Sequence, residues 1–185
     1  MLISHREISI FKIKYRLETI NLSGENVMSR KTINETYSLQ IPDTFESIRS
    51  DELQALSQGG GDPYQWGVRD RENHVMILAL WKRHSAILAW MSDLKSIAKR
   101  NEQLTRKAYE GHGYRLLENN SLQAGNEKAE GYSFSYSVNG IAQVIQSFLI
   151  KDGKMVYAIT CAGREENFAA DQKMFRAVME SLQHF

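Results

Sequence analysis

The stretch "AEGYSFSYSVNGIAQVIQSFLIKDGKMVYAITC", residues 129–161, constrains the fold more than any other part of the chain. Its apolar runs are punctuated at Asn139-Gly140 and Asp152-Gly153, and two-residue loops of this kind between apolar runs are strong hairpin signals. A three-stranded meander is therefore expected. Upstream, "YRLLENNSLQA" adds a further strand around a Gly125-Asn126 turn. With both later loops two residues long, Ser135 falls opposite Val144, and Val144 opposite Cys161. Ala142, Gln146, Phe148, Ile150, Met155, Tyr157 and Ile159 share that face. Tyr132, Phe134, Tyr136, Val138, Ile141, Ile145, Leu149, Val156 and Ala158 lie on the other. Both faces are mainly apolar, so each needs a helical cover.

Two amphipathic segments can supply those covers. From Ser85 to about Glu110, Ile87, Trp90, Met91, Leu94, Ile97, Ala98, Leu104 and Ala108 gather on one side at helical spacing. Lys95, Lys99, Arg100, Arg106 and Lys107 occupy the opposite side, and "GHG" at 111–113 ends the helix. A closing helix begins near Asn167, with Phe168, Phe175, Val178, Met179 and Leu182 on one side. Earlier, "TYSLQIPDTF" is a strand stopped by Pro42, and a short helix follows with Ser50 as its cap. "YQWGVRD" and "HVMILALWK" are two strands joined across "RENH". The second is apolar at odd and even positions alike, as for a strand buried on two faces.

At 185 residues and 42% apolar content the chain is the size of one well-packed domain. Residues 1–35 are expected as an appendage to that domain, residues 36–185. Phe11, Ile13, Tyr15 and Leu17 alternate with Lys12, Lys14 and Arg16 as in a half-buried strand, residues 21–35 read as a linker, and Met28 is a candidate alternative start. The net charge of +1 gives no bulk attraction to nucleic acid or to an anionic membrane. Charges at Arg6, Glu7, Lys12, Lys14 and Arg16 break every N-terminal apolar run, which argues against a signal segment or membrane insertion there. A lone cysteine cannot make an internal disulfide, and a soluble, cytoplasmic protein is expected.

The residues capable of chemistry do not assemble into a motif. Cys161 precedes a helix start, but Glu165 and Glu166 oppose thiolate formation and the register points the thiol between sheet and helix, so it reads as a small buried hydrophobe. Glu165 and Glu166 suit the start of the closing helix. His5, His74, His84, His112 and His184 show no metal-ligand spacing. Gly59-Gly60-Gly61 ends a helix and lacks the Lys-Ser/Thr of a phosphate loop. In "YSFSYS", with no nucleophile-elbow context, the aromatics read as core on one face and the serines as small residues under a helix on the other. Trp66, Trp81 and Trp90 fall on core patterns. No residue is assigned a catalytic, cofactor-binding or metal-ligating role, and no cofactor is expected.

"YSLQIPDTF", the two-sided strand "HVMILALWK", the long helix, the meander from "AEGYSF" and the ending "FAADQKMFRAVMESLQHF" together resemble the PsbP-like superfamily. That superfamily includes DcrB-like proteins and shares its fold with Mog-type Ran-binding proteins. The resemblance covers residues 36–185 and implies an α+β fold: an antiparallel sheet of about six or seven strands covered by helices on both faces, an α-β-α sandwich. It also implies a non-catalytic module that binds another protein, as a chaperone or adaptor; a structural homodimer is a separate, third reading. The alternative is a small-molecule binder or weak hydrolase using a pocket near Gly59 to Pro63, beside the 85–110 helix.

Overall fold

The computed structural model describes residues 27–56, 62–83 and 93–185. In chain order the elements are β1 (Met28–Thr32), β2 (Tyr37–Pro42), β3 (Glu46–Ser47), α1 (Ser50–Leu56), β4 (Trp66–Asp70), β5 (Val75–Arg83) and α2 (Leu94–Tyr109). Then come β6 (Arg115–Ala124), β7 (Glu127–Val138), β8 (Ile141–Asp152), β9 (Met155–Arg164), α3 (Phe168–Glu180) and β10 (Gln183–His184). The large sheet has seven antiparallel strands in the order β3-β4-β5-β9-β8-β7-β6. The class is α+β, as the hairpin pattern implies.

The division of the meander into two apolar faces holds. Phe148, Ile150, Tyr157, Ile159 and Cys161 pack with Phe175, Val178 and Met179 of α3. On the other face Tyr132, Phe134, Ile145, Leu149, Val156 and Ala158 pack with Ala98 of α2. Each buried valine, leucine, isoleucine, phenylalanine or methionine contributes about 1.5–3 kcal/mol, so a face this apolar does not stay open to water. Ser133 and Ser135 lie buried on the α3 face of the sheet. Trp66 and Trp81 are half-buried against the core.

Several expectations need correction. Ser135 does stand opposite Val144, but Val144 faces Gly163, and Cys161 faces Gln146. The cause lies in the turn. Asp152 pairs with Met155, so the loop is Gly153-Lys154, with Gly153 at φ +54 in the first loop position that a II′ turn reserves for glycine. The Asn139-Gly140 loop is of the other kind, with both residues at positive φ. A slip of two residues keeps every side chain on its face, so only the neighbours change.

Residues 28–32, expected as linker, form β1 and pair with β2 in a second sheet, order β1-β2-β10. Their polarity suits an edge strand, where Arg30 and Lys31 discourage further pairing. The expected strand at residues 7–17 and the start of the long helix, residues 85–92, lie outside the described residues. Within α2 the buried line runs through Ala98 and Glu102, flanked by half-buried Leu94, Ile97, Asn101, Thr105 and Tyr109. Leu104, assigned to the apolar stripe, is 59% exposed. The helix is rotated so that three polar side chains face the sheet, because tyrosine hydroxyls wait there for partners.

Candidate functional site

The large sheet ends on one side at β3, two residues long, and on the other at β6, ten residues long. Because Gly125-Asn126 closes a two-residue hairpin, Ala124 and Glu127 form a hydrogen-bonded pair. The pairs at Leu122, Asn120 and Glu118 follow in phase, and the register breaks between Leu116 and Glu118, at exposed Leu117. The backbone groups of Asn119, Ser121 and Gln123 therefore point away from β7, along an exposed edge. Between Glu118 and Ala124 this edge carries no proline, lysine or arginine, the residues that usually block strand addition.

A groove of about 260 Å³ follows this edge, walled by Gln172 and Arg176 of α3. It touches β6 at each residue from Glu118 to Leu122, odd and even alike, so it tracks the strand's open side rather than one face. On its inner side it reaches the buried residues Gln146 and Phe148 of β8. Gln172 donates to Glu118 Oε1 at 2.7 Å, and Asn120 donates to Ser133 Oγ at 2.9 Å. Arg176 is held by Glu180 at 3.1 Å.

Gln146 and Gln172 also line a cavity of about 10 Å³, closed by Cys161, Gly163, Arg164 and Asp171. That is the room for one water-sized group. Gln146 is 6% exposed, and neither its Oε1 nor Asp171 Oδ2 has a hydrogen-bond partner. Gly163 leaves the space for the Asp171 carboxylate, which a Cβ would overlap. Burial, and then the charge of Asp70, push the Asp171 carboxyl up to about 6. Burial also opposes ionisation of Asp70, but hydrogen bonds from Asn73, Thr44 and the Glu72 backbone outweigh it and hold that carboxyl low. Burial, reinforced by Asp171, pushes the Cys161 thiol up and away from thiolate.

The structure scatters the other residues weighed from sequence. Glu165 and Glu166 sit in a 3₁₀ turn before α3, paired with Arg115 at 2.7 Å and Arg164 at 3.4 Å. His74, His112 and His184 lie apart, and no cluster of three metal-capable side chains occurs among the described residues. Residues 59–61, His84 and Trp90 lie outside the described residues, so the pocket expected near Gly59 to Pro63 is not among the cavities described above. Sequence reading missed the groove. It has no motif, since it exists only where β6 becomes an edge beside α3.

A second polar group, under α2, has its hydrogen bonds made. Glu102, 6% exposed, accepts from the Tyr114 hydroxyl and from Arg106, both at 2.8 Å. The Tyr132 hydroxyl donates to Asn101 Oδ1 at 2.5 Å and lies 2.8 Å from Thr105 Oγ1. Such closure marks a structural network rather than a binding site.

Comparison with known proteins supports the architecture. Cyanobacterial PsbP (CyanoP) from Synechocystis sp. PCC 6803 superposes with a TM-score of 0.63 at 10% identity, over 89% of this chain and 96% of that one. The fold is PsbP-like. LpqN, involved in cell envelope biogenesis of Mycobacterium tuberculosis, shares it with a TM-score of 0.56 at 12% identity, over 85% of this chain and 90% of its own. The Saccharomyces cerevisiae Ran-binding protein Mog1p does so with a TM-score of 0.52 at 13% identity, over 85% and 96%. At these identities the PsbP-like fold alone is shared. No family model matches the sequence, and no curated protein does. No helix among the described residues is long and apolar enough to cross a membrane.

Proposed function

We propose that this chain is a non-catalytic protein-binding module of the chaperone or adaptor kind, acting in the cytoplasm, with the groove between α3 and β6 as its contact surface. The observation that carries this is the open β6 edge running beside a groove lined by Glu118, Gln146 and Gln172. A binding role also accords with how the reactive groups are held. Cys161 is buried and its thiol is pushed toward the neutral form, while Glu102 is tied to Tyr114 and Arg106. The proteins sharing the fold include a Ran-binding protein, which lends analogy.

The test is photo-crosslinking in cells, with a photoreactive amino acid at position 172 in the groove and, as control, at position 99 on the exposed face of α2. A discrete higher-mass adduct from position 172 and none from position 99 is the expected result. Adducts from neither position, or the same adducts from both, would discard the groove as a contact surface.

A further inference from the structure

Resting on that proposal, we infer that the β6 edge takes an extended segment of a partner protein as an added strand, with a lysine or arginine of that segment reaching into the α3–β6 groove. The backbone N–H and C=O groups of Asn119, Ser121 and Gln123 face outward on an exposed strand, and a segment about 4.8 Å away satisfies them. Among the described strands the other sheet edges are shorter or guarded. The opposite edge of the sheet is only two residues long, and the outer strand of the small sheet carries Arg30 and Lys31.

The groove selects the side chain. In an added strand alternate side chains turn toward α3, into the groove that Glu118, Asn120 and Gln172 line. Glu118 is bonded only to the neutral Gln172, and no cation among the described residues pairs with it. Arg176, the one cation lining the groove, is already paired with Glu180. The occupant must therefore bring donors and positive charge on a stem that is itself apolar. Lysine and arginine do both, laying their methylenes along the groove while the head reaches Glu118. With a whole-chain charge of +1, the preference for a cation is local to the groove and not a bulk effect.

The experiment uses the full chain and two fluorescein-labelled synthetic peptides, one alternating threonine and lysine, the other alternating threonine and glutamate, read by anisotropy. The lysine peptide is expected to bind at least about tenfold more tightly, and its copy N-methylated on alternate amides to lose that binding. Ser121→Pro removes an outward N–H that the β6–β7 ladder does not use, so it should abolish binding with little change in thermal midpoint. Glu118→Gln should weaken the lysine peptide about three- to tenfold and leave the glutamate peptide no weaker.

Equal binding of both peptides, or binding untouched by Ser121→Pro and N-methylation, would overturn strand addition. A homodimer by light scattering that Ser121→Pro dissolves would assign the edge to a second copy instead. Lysine-peptide binding that emerges only after removal of residues 1–26 would assign it to this chain's own N-terminal residues. If Ser121→Pro does not fold, Glu118→Gln with the N-methylated peptide decides the question. A crosslink from position 172 combined with failure of every peptide test would keep the binding role and reject this mode of binding.

Discussion

Gln146 stands directly opposite Cys161 on the β8–β9 ladder, and its amide oxygen has no hydrogen-bond partner while the thiol beside it is buried. A neutral thiol under a helix is a poor nucleophile. The native chain should react with a thiol reagent only as fast as it unfolds, and react promptly in denaturant. Cys161→Ser, which puts a stronger hydrogen-bonding group in an apolar niche, should cost about 1–3 kcal/mol in urea titrations. Rapid modification of the native protein would contradict the burial.

Asp171 gives a pH signature whose sign follows from its surroundings. Burial first, and Asp70 second, raise its carboxyl from 3.8 to about 6, so the folded chain keeps a proton that the unfolded chain releases. This contribution is complete below about pH 4 and is lost as the pH rises through about 6. Asp171→Asn should remove that loss. With discount for the partial exposure of the residue, the stability difference between the two proteins should shift by about 1 kcal/mol in favour of the variant from pH 4 to pH 7. The comparison must be made against wild type, because Asp93 and Glu46 are held low by hydrogen bonds from Ser96 and from Arg71 and Arg69, and act in the opposite sense at lower pH. A difference independent of pH would refute the assignment.

Gly131 of β7 stands opposite Phe148 of β8. A Cβ there would overlap the Ser147 carbonyl oxygen and stand 2.8 Å from a ring carbon of Phe148. Gly131→Ala should therefore destabilise by about 1–3 kcal/mol through overpacking, although alanine normally suits a strand better than glycine.

Glu102 links α2 to the sheet through the Tyr114 hydroxyl. Glu102→Ala and Tyr114→Phe should each cost about 1–3 kcal/mol, and the double variant should cost less than their sum. Strict additivity in that cycle would show that the two groups do not interact. Neither change should alter crosslinking from position 172, which lies on the other side of the sheet.

Much of the fold was legible because its signals are local. Asn139-Gly140 and Gly125-Asn126 mark their hairpins, and the alternation in "YSFSYS" sorts Tyr132 and Phe134 from Ser133 and Ser135 onto opposite faces. The Asp152-Gly153 loop was read one residue early, because a glycine serves as the second residue of a I′ loop or the first of a II′ loop, and the dipeptide fits either. The polar stripe on α2 was missed for a different reason. Asn101, Glu102 and Thr105 make sense facing a sheet only once Tyr114 and Tyr132 are known to meet them.

Strands, their two faces and the need for a helix over each were decided by the chain itself, since backbone preference and the period of apolar residues act over a few positions. The groove was decided by tertiary structure. Pairing of β5 with β9, from opposite halves of the chain, places β6 at the sheet's edge, and α3, packed on both β6 and β9, leaves Glu118 and Gln146 lining the groove between. Long-range pairing of that kind depends on which buried surfaces fit together, and no window of adjacent residues encodes it.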